Sequence, residues 1–225
     1  MALMKHLNKQ HNLKQLMSNW GLFMLLVFTI FALPIITLFV KIRLFEIFIT
    51  LIVILSSLAT SEEGKRKRKV MIQVMLSILA IWISRVANLH YVHLLASLWL
   101  VVFFMLRVFR FVGQLSIKEH VSITVIVGAI NGYLLIGVGF ALLVNMFSAE
   151  FPGAFNFHIN DSVSHVYDSL YYTFVSMTTL GYGDLLPVSP AAKSLALMIT
   201  LCGQFYLVTI MALLVGRLLA TSSKP

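Results

Sequence analysis

Seven residues, Thr178-Thr179-Leu180-Gly181-Tyr182-Gly183-Asp184, concentrate this chain's capacity for chemistry. The segment is nearly uncharged, lies between two apolar stretches, and places Gly181 and Gly183 on either side of Tyr182. Glycine reaches backbone dihedrals that residues with a Cβ avoid. A chain that alternates left- and right-handed conformations points successive carbonyls the same way. Five oxygens then face one axis: the hydroxyl of Thr179 and the carbonyls of Thr179, Leu180, Gly181 and Tyr182. Such a ladder can replace the water around a bare cation. One chain supplies one wall, and the motif occurs once, so a closed ring of oxygens requires several copies of the chain.

The elements that must position this segment are apolar helices. Hydrophobic residues make up 60% of the 225-residue chain and charged residues 11%, with a mean hydropathy of +0.94. A soluble domain carries about a quarter charged residues. A bilayer core needs about 20 apolar residues in a helix. Six stretches are candidates: Trp20 to Val40 (with Pro34 as a kink or an early end), Leu44 to Thr60, Val70 to Ala87, Val92 to Val112, His120 to Phe147, and Ala191 to Ala220. Between the last two, Phe151-Pro152-Gly153 reads as a turn, and Val166 to Thr178 is too short to span but suits a re-entrant helix. Irregular backbone at membrane depth is tolerated only when buried in protein or lining a water-filled path. The expected fold is therefore an all-α polytopic membrane protein. It divides into a basic N-terminal segment 1–19, a four-span bundle 20–112, a linker 113–119 and a pore-like unit 120–225.

Charge supports this layout. The net charge of +9 could suggest nucleic acid, but the basic residues sit in short clusters between apolar runs, so no nucleic-acid partner is expected. With the N-terminus cytoplasmic, 13 of the 17 basic residues fall inside, against Lys41, Arg43, Arg85 and Lys193 outside. The positive-inside rule selects that orientation, with both termini cytoplasmic. It places Glu150, Asp161, Asp168 and Asp184 outside, where they would concentrate cations. Lys65, Arg66, Lys67, Arg68 and Lys69 are consecutive bases beside a span and could bind anionic lipid headgroups or serve orientation alone. Lys5, Lys9 and Lys14, interleaved with leucines, suit either a surface helix or a solvated tail. Gly128 and Gly132 form a small-xxx-small pair for helix packing. The lone Cys202 makes no intrachain disulfide, and no metal-ligand spacing exists. No nucleophile–base arrangement or phosphate loop is present, so no enzyme and no cofactor are expected. Asn160-Asp161-Ser162 fits a glycosylation sequon by chance as readily as by use.

Thr-Leu-Gly-Tyr-Gly-Asp resembles the selectivity filter of potassium channels, in which Val is usual where this chain has Leu180. Upstream, Tyr171-Tyr172-Thr173-Phe174-Val175-Ser176-Met177 is similar to that family's pore helix, and Leu186 to Pro190 is similar to its outer mouth. The likeness covers roughly residues 121–219, and the first half matches only in layout. The resemblance implies a homotetramer in the plasma (cell inner) membrane conducting K+ passively. Its filter is Thr179, Leu180, Gly181, Tyr182 and Gly183, with Thr178, Asp184, Tyr171 and Tyr172 in support. It implies that the Tyr171 hydroxyl holds the Asp184 carboxylate. Gly203 matches an inner-helix glycine that serves either as a bend or as close packing against the pore helix. Met211, Ala212, Val215 and Leu219 recur at helical spacing, as an apolar gate or as ordinary packing.

Arg107 and Arg110 stand where voltage sensors of the family carry basic residues, but the series stops at two. They read better as anchors reaching to the inner surface than as sensor charges, and the pore is expected to be weakly or not voltage-gated. The short linker favours a bundle packed beside its own pore unit. The chain ends soon after the last span, so gating is expected within the membrane unless a further domain is missing. The rival readings are a non-selective cation channel or a non-conducting regulatory subunit on the same scaffold, and, from another class, a secondary transporter, which predicts internal repeats.

Overall fold

The computed structural model describes residues 2–39, 44–60, 65–87, 89–117, 123–157 and 162–222. Among them there is no β-strand; a single isolated bridge joins Phe155 to Pro187. The helices are α1 (Ala2–Val27), a π-helical turn (Phe28–Ala32), α2 (Leu33–Phe39), α3 (Phe45–Ala59), α4 (Lys65–Ala87), α5 (His90–Ile117), α6 (Ile123–Glu150), α7 (Ser162–Met177) and α8 (Pro190–Ser222). Among the described residues, four helical stretches are long and apolar enough to cross a membrane: Gln15–Ile36, Tyr91–Gly113, Ile123–Glu150 and Pro190–Arg217. The apolar α3 is shorter, and α4 opens on five bases. The protein is thus an all-helical, polytopic chain.

Three stretches that the sequence leaves open take definite form. The basic segment before Asn19 is continuous with the first span as one helix, α1. Pro34 does not end that span, because the helix resumes through Phe39. Proline lacks the N–H of an interior helical residue, and its ring crowds the carbonyl four residues back. The chain absorbs this by widening one turn, with the Leu33 N–H bonding the Phe28 carbonyl. The linker is largely helical, since α5 runs to Ile117; residues 118–122 lie outside the described residues.

The peripheral helices pack directly on α6 of the same chain. Asn131 Nδ2 donates to the Asn19 carbonyl at 2.9 Å, and Asn19 Nδ2 donates to the Thr124 carbonyl at 3.2 Å, a reciprocal clasp between α1 and α6. Both side chains are buried, where an unpaired amide would be costly. The small residues of α6 admit larger partners. A Cβ at Gly128 would touch the Phe111 ring at 3.5 Å, and one at Gly132 would collide with the Tyr206 hydroxyl. That hydroxyl reaches past Gly132 to donate to the Ala129 carbonyl at 2.7 Å, tying α8 to α6.

Gly132→Ala should lower the thermal stability of the detergent-solubilised protein by about 1–3 kcal/mol through overpacking. Because the Tyr206 hydroxyl is the closest atom to the added methyl, adding Tyr206→Phe should recover part of that loss. A double-mutant cycle on melting temperature checks the coupling.

Candidate functional site

Helix α7 ends at Met177, and residues 178–189 return in irregular backbone before Pro190 opens α8. The last four carbonyls of a helix lack intrahelical partners. Here the returning loop takes three of them. Thr178 N–H donates to Phe174 O at 3.0 Å, Thr179 N–H to Ser176 O at 3.1 Å, and Leu180 and Gly181 N–H both donate to Val175 O at 3.0 and 3.4 Å. None of the peptide bonds among the described residues is cis. In a trans peptide the carbonyl of one residue opposes the N–H of the next. With the N–H groups of 179, 180 and 181 turned toward α7, the carbonyls of Thr178, Thr179 and Leu180 point away from it. Backbone φ is positive at Thr179 (57°), Gly181 (55°) and Gly183 (80°). The left-handed conformation thus recurs at every second residue. Glycine occupies it freely, whereas Thr179 does so at a steric cost of about 1–3 kcal/mol.

The outer end of the loop is held by α7. Tyr171 Oη donates to Asp184 Oδ2 at 2.7 Å. That bond holds the exposed Asp184 carboxyl below the usual carboxylate range, and the same bond pushes the Tyr171 hydroxyl up to about 12. The Tyr171 ring also stacks on Tyr182, with centroids 6.5 Å apart and planes at 7°. Its neighbour Tyr172 is buried instead, edge-on to Phe155 at 5.2 Å. The paired tyrosines therefore divide the work: one faces the loop and the other anchors α7.

The inner end is held by α8. A Cβ at Gly203 would lie 3.1 Å from the Met177 carbonyl and 3.2 Å from the Met177 side chain. Gly203 is thus a close-packing position against the end of α7, and α8 passes through it without a break. One residue on, Gln204 Nε2 donates to Met177 O at 3.0 Å; Thr200 Oγ1 donates to Ser176 O at 3.3 Å and to its own Ala196 O at 3.1 Å. The sequence reading did not single out Gln204 or Thr200; their only signal there is polarity at adjacent turns of one face in an otherwise apolar helix. Further along α8, Met211, Ala212 and Val215 are exposed on this single chain, and the Leu219 side chain lies outside the described residues.

The charged candidates lie elsewhere. Arg107 is fully buried rather than extended to the surface. Its guanidinium donates to Thr60 Oγ1 and Gln73 Oε1, both at 3.3 Å, and sits 4.6 Å from the Phe103 ring centroid. It links α3, α4 and α5, so the expectation that it reaches the inner surface is corrected. Arg110 is half-buried. Lys67, Arg68 and Lys69 are exposed, while the Lys65 and Arg66 side chains and the sequon residues 160 and 161 lie outside the described residues. No metal-ligating cluster occurs among the described residues.

The comparisons fall on this same region. A family model described as ion channel matches residues 146–220, from the end of α6 through the loop to α8. The chain is 34% identical over 70 residues to a voltage-gated potassium channel of Aeropyrum pernix, a match covering 28% of this chain and 22% of that one. It is 39% identical over 72 residues to a protein named two pore potassium channel c of Oryza sativa subsp. japonica, covering 32% of this chain and 14% of that one. The chain thus spans less than a quarter of the length of these curated relatives. No solved structure matches it. The matched region is thus similar to that of ion channels, in a chain with helices long and apolar enough to cross a membrane. Both of these relatives bear the name of a potassium channel.

Three outcomes follow from these contacts. The Asp184 carboxylate contributes to the latch above its ordinary pKa of about 3.9 and stops doing so as pH falls through its lower folded value. The Tyr171 donor contributes fully below the ordinary phenol value of 10.0 and is lost as pH rises toward about 12. Acidifying the solution from neutral to about pH 5 should therefore leave the latch intact. Tyr171→Phe should lower the melting temperature of the purified protein by removing the donor to Asp184; melting curves across that pH range check both. Gln204→Leu should cost about 1–3 kcal/mol of thermal stability by stranding the Met177 carbonyl, read by melting of the purified protein.

Proposed function

We propose that the chain conducts K+ passively across the plasma (cell inner) membrane as a homotetramer, through a filter built from residues 179–183. The observation that carries this reading is the backbone itself: left-handed φ at Thr179, Gly181 and Gly183, with the N–H groups of 179–181 given to α7. The Thr179 hydroxyl and the carbonyls of Thr179, Leu180, Gly181 and Tyr182 are left to take the place of the ion's water. Gly183 completes the alternation. Thr178, Asp184, Tyr171 and Tyr172 hold the loop in register. Movement is by dehydration at these oxygens and knock-on between adjacent sites.

The exposure of the loop supports several copies. On one chain Leu180 is 54% exposed and Tyr182 67%. Irregular backbone at membrane depth must be enclosed by protein or line water. Along α8, Leu197, Leu201, Phe205 and Val208 form an exposed apolar stripe at helical spacing. Copies of the chain would cover that stripe while their loops close around one axis. In this arrangement Met211, Ala212, Val215 and Leu219 form the apolar gate toward the cytoplasm, where both termini lie. The bases from Lys65 to Lys69 meet anionic headgroups there. Arg107, pinned by Thr60, Gln73 and Phe103, makes the pore weakly voltage-dependent or indifferent to voltage.

The test is the reversal potential of the purified protein in a planar bilayer, with K+ on one side and Na+ on the other. A reversal near the K+ equilibrium potential is expected. A reversal near zero would replace this reading with a non-selective pore, and no current under any voltage would favour a regulatory subunit. Gly181→Ala places a Cβ at φ 55° and should abolish selective current while the assembled protein persists in detergent.

A further inference from the structure

The loop that follows the filter is gripped by a second element. Residues Ala154 to Phe157 run extended after a turn in which the Ala154 N–H bonds the Phe151 carbonyl at 3.0 Å. Side chains alternate there: Phe155 and Phe157 are buried, whereas Asn156 between them is exposed. The two phenyl rings stack on each other at 4.9 Å and meet the Tyr172 ring at 5.2 and 5.9 Å, which fixes this short run on α7. Asn156 is thereby presented to the segment Asp184–Leu186. Its backbone N–H donates to Leu186 O at 3.1 Å, its Oδ1 accepts from the Leu186 N–H, and its Nδ2 lies 3.5 Å from the Asp184 carbonyl. The Val188 and Ser189 N–H groups continue the pairing onto Ala154 O at 2.8 and 3.2 Å.

We propose that Asn156 is a positioning residue for the filter: its carboxamide, fixed on α7 by Phe155 and Phe157, clamps the Asp184–Leu186 backbone and holds the outer mouth open to ions. This rests on the conduction reading above. The side chain mimics a strand neighbour, accepting from one backbone N–H of the loop and offering its amide to a carbonyl two residues earlier. Tyr171 reaches the side chain of Asp184, whereas Asn156 reaches the backbone around it. Loss of one latch therefore leaves the other in place. The bound ion is itself a ligand of the ordered filter, so a weakened clamp shows most when ions are scarce.

The experiment uses the full chain in planar bilayers and compares Asn156→Ala, Asn156→Leu and Asn156→Asp with the unaltered protein. The readout is the decay of current during sustained conduction at low and at high outer K+. The salt is high enough to screen the charge that Asp adds. The Ala and Leu variants are expected to decay about fivefold faster at low K+ and near the unaltered rate at high K+. The Asp variant retains the acceptor for Leu186 N–H but loses the donor to the Asp184 carbonyl, and is expected to decay at a rate between those of the unaltered protein and the Ala variant at low K+. Ala and Leu variants that decay at the unaltered rate overturn the proposal, as does acceleration that high K+ does not relieve. If neither Ala nor Leu assembles while Asp does, Asn156 is a folding residue and the proposal fails. If the unaltered protein passes no selective K+ current, it is the conduction reading that has failed.

Discussion

The loop from 178 to 189 depends on the carbonyls that close α7. A helix ends with four acceptors that its own backbone does not use, and at membrane depth each must find a donor. All four are occupied. Phe174 O takes the N–H and hydroxyl of Thr178; Val175 O takes the N–H groups of Leu180 and Gly181; Ser176 O takes Thr179 N–H and the Thr200 hydroxyl; Met177 O takes the Gln204 amide. The double use of Val175 O is the decisive step. One acceptor draws two successive N–H groups to the same side, so their peptide carbonyls must face the other. The left-handed turns at 179, 181 and 183 are how the backbone meets that demand.

Once the carbonyls are turned out, everything around the loop works to keep it from relaxing. The inner helix can approach the end of α7 closely enough for Gln204 to bond because Gly203 presents no Cβ to Met177. At the outer end, Tyr171 combines a hydrogen bond to Asp184 with a stack on Tyr182. It thus grips the loop on both sides of Gly183. Tyr172, turned the other way, joins Phe155 and Phe157 in an aromatic layer that fixes α7 itself. In the proposed pore these oxygens would be ligands of a dehydrated ion and would repel one another, and a rigid surround would keep them aligned when no ion separates them.

Much of this was legible in the sequence, and what escaped did so for physical reasons. The glycine alternation announced the loop because few other uses require it. Apolar length announced the helices because a bilayer imposes it. The Tyr171–Asp184 pair came only through the family likeness, since a spacing of thirteen residues has no local periodicity to betray it. Positive φ at Thr179 had no signal at all, because threonine is not a residue whose type advertises that conformation. Gln204 and Asn156 each look ordinary where they stand. Their partners lie 27 and 30 residues away, and only the folded return of the loop brings them together. The run of helix from α1 through the π turn into α2, past Pro34, was left open between a kink and a stop. The local rule for proline was sound, but a π turn offered an outcome between a kink and a stop.

The packing of the bundle bears on how the proposed pore would respond to voltage. Moving one charge through a full 100 mV yields about 2.3 kcal/mol. Arg107 would have to leave two hydrogen-bonding side chains and the Phe103 ring, and hydrogen bonds to a charged group are worth about 1.5–3 kcal/mol each. The field available to it is therefore smaller than the contacts that hold it. The helices around it are also fastened to the pore-bearing part of the chain. Asn131 donates to the Asn19 carbonyl and Asn19 to the Thr124 carbonyl, joining α1 to α6, and Phe111 of α5 lies against Gly128. A bundle pinned internally by a buried arginine, and externally by paired asparagines, is mechanically a brace. That brace is fastened to α6, and the Tyr206 hydroxyl ties α6 in turn to α8. In the proposed pore, the peripheral helices would set stiffness rather than drive opening.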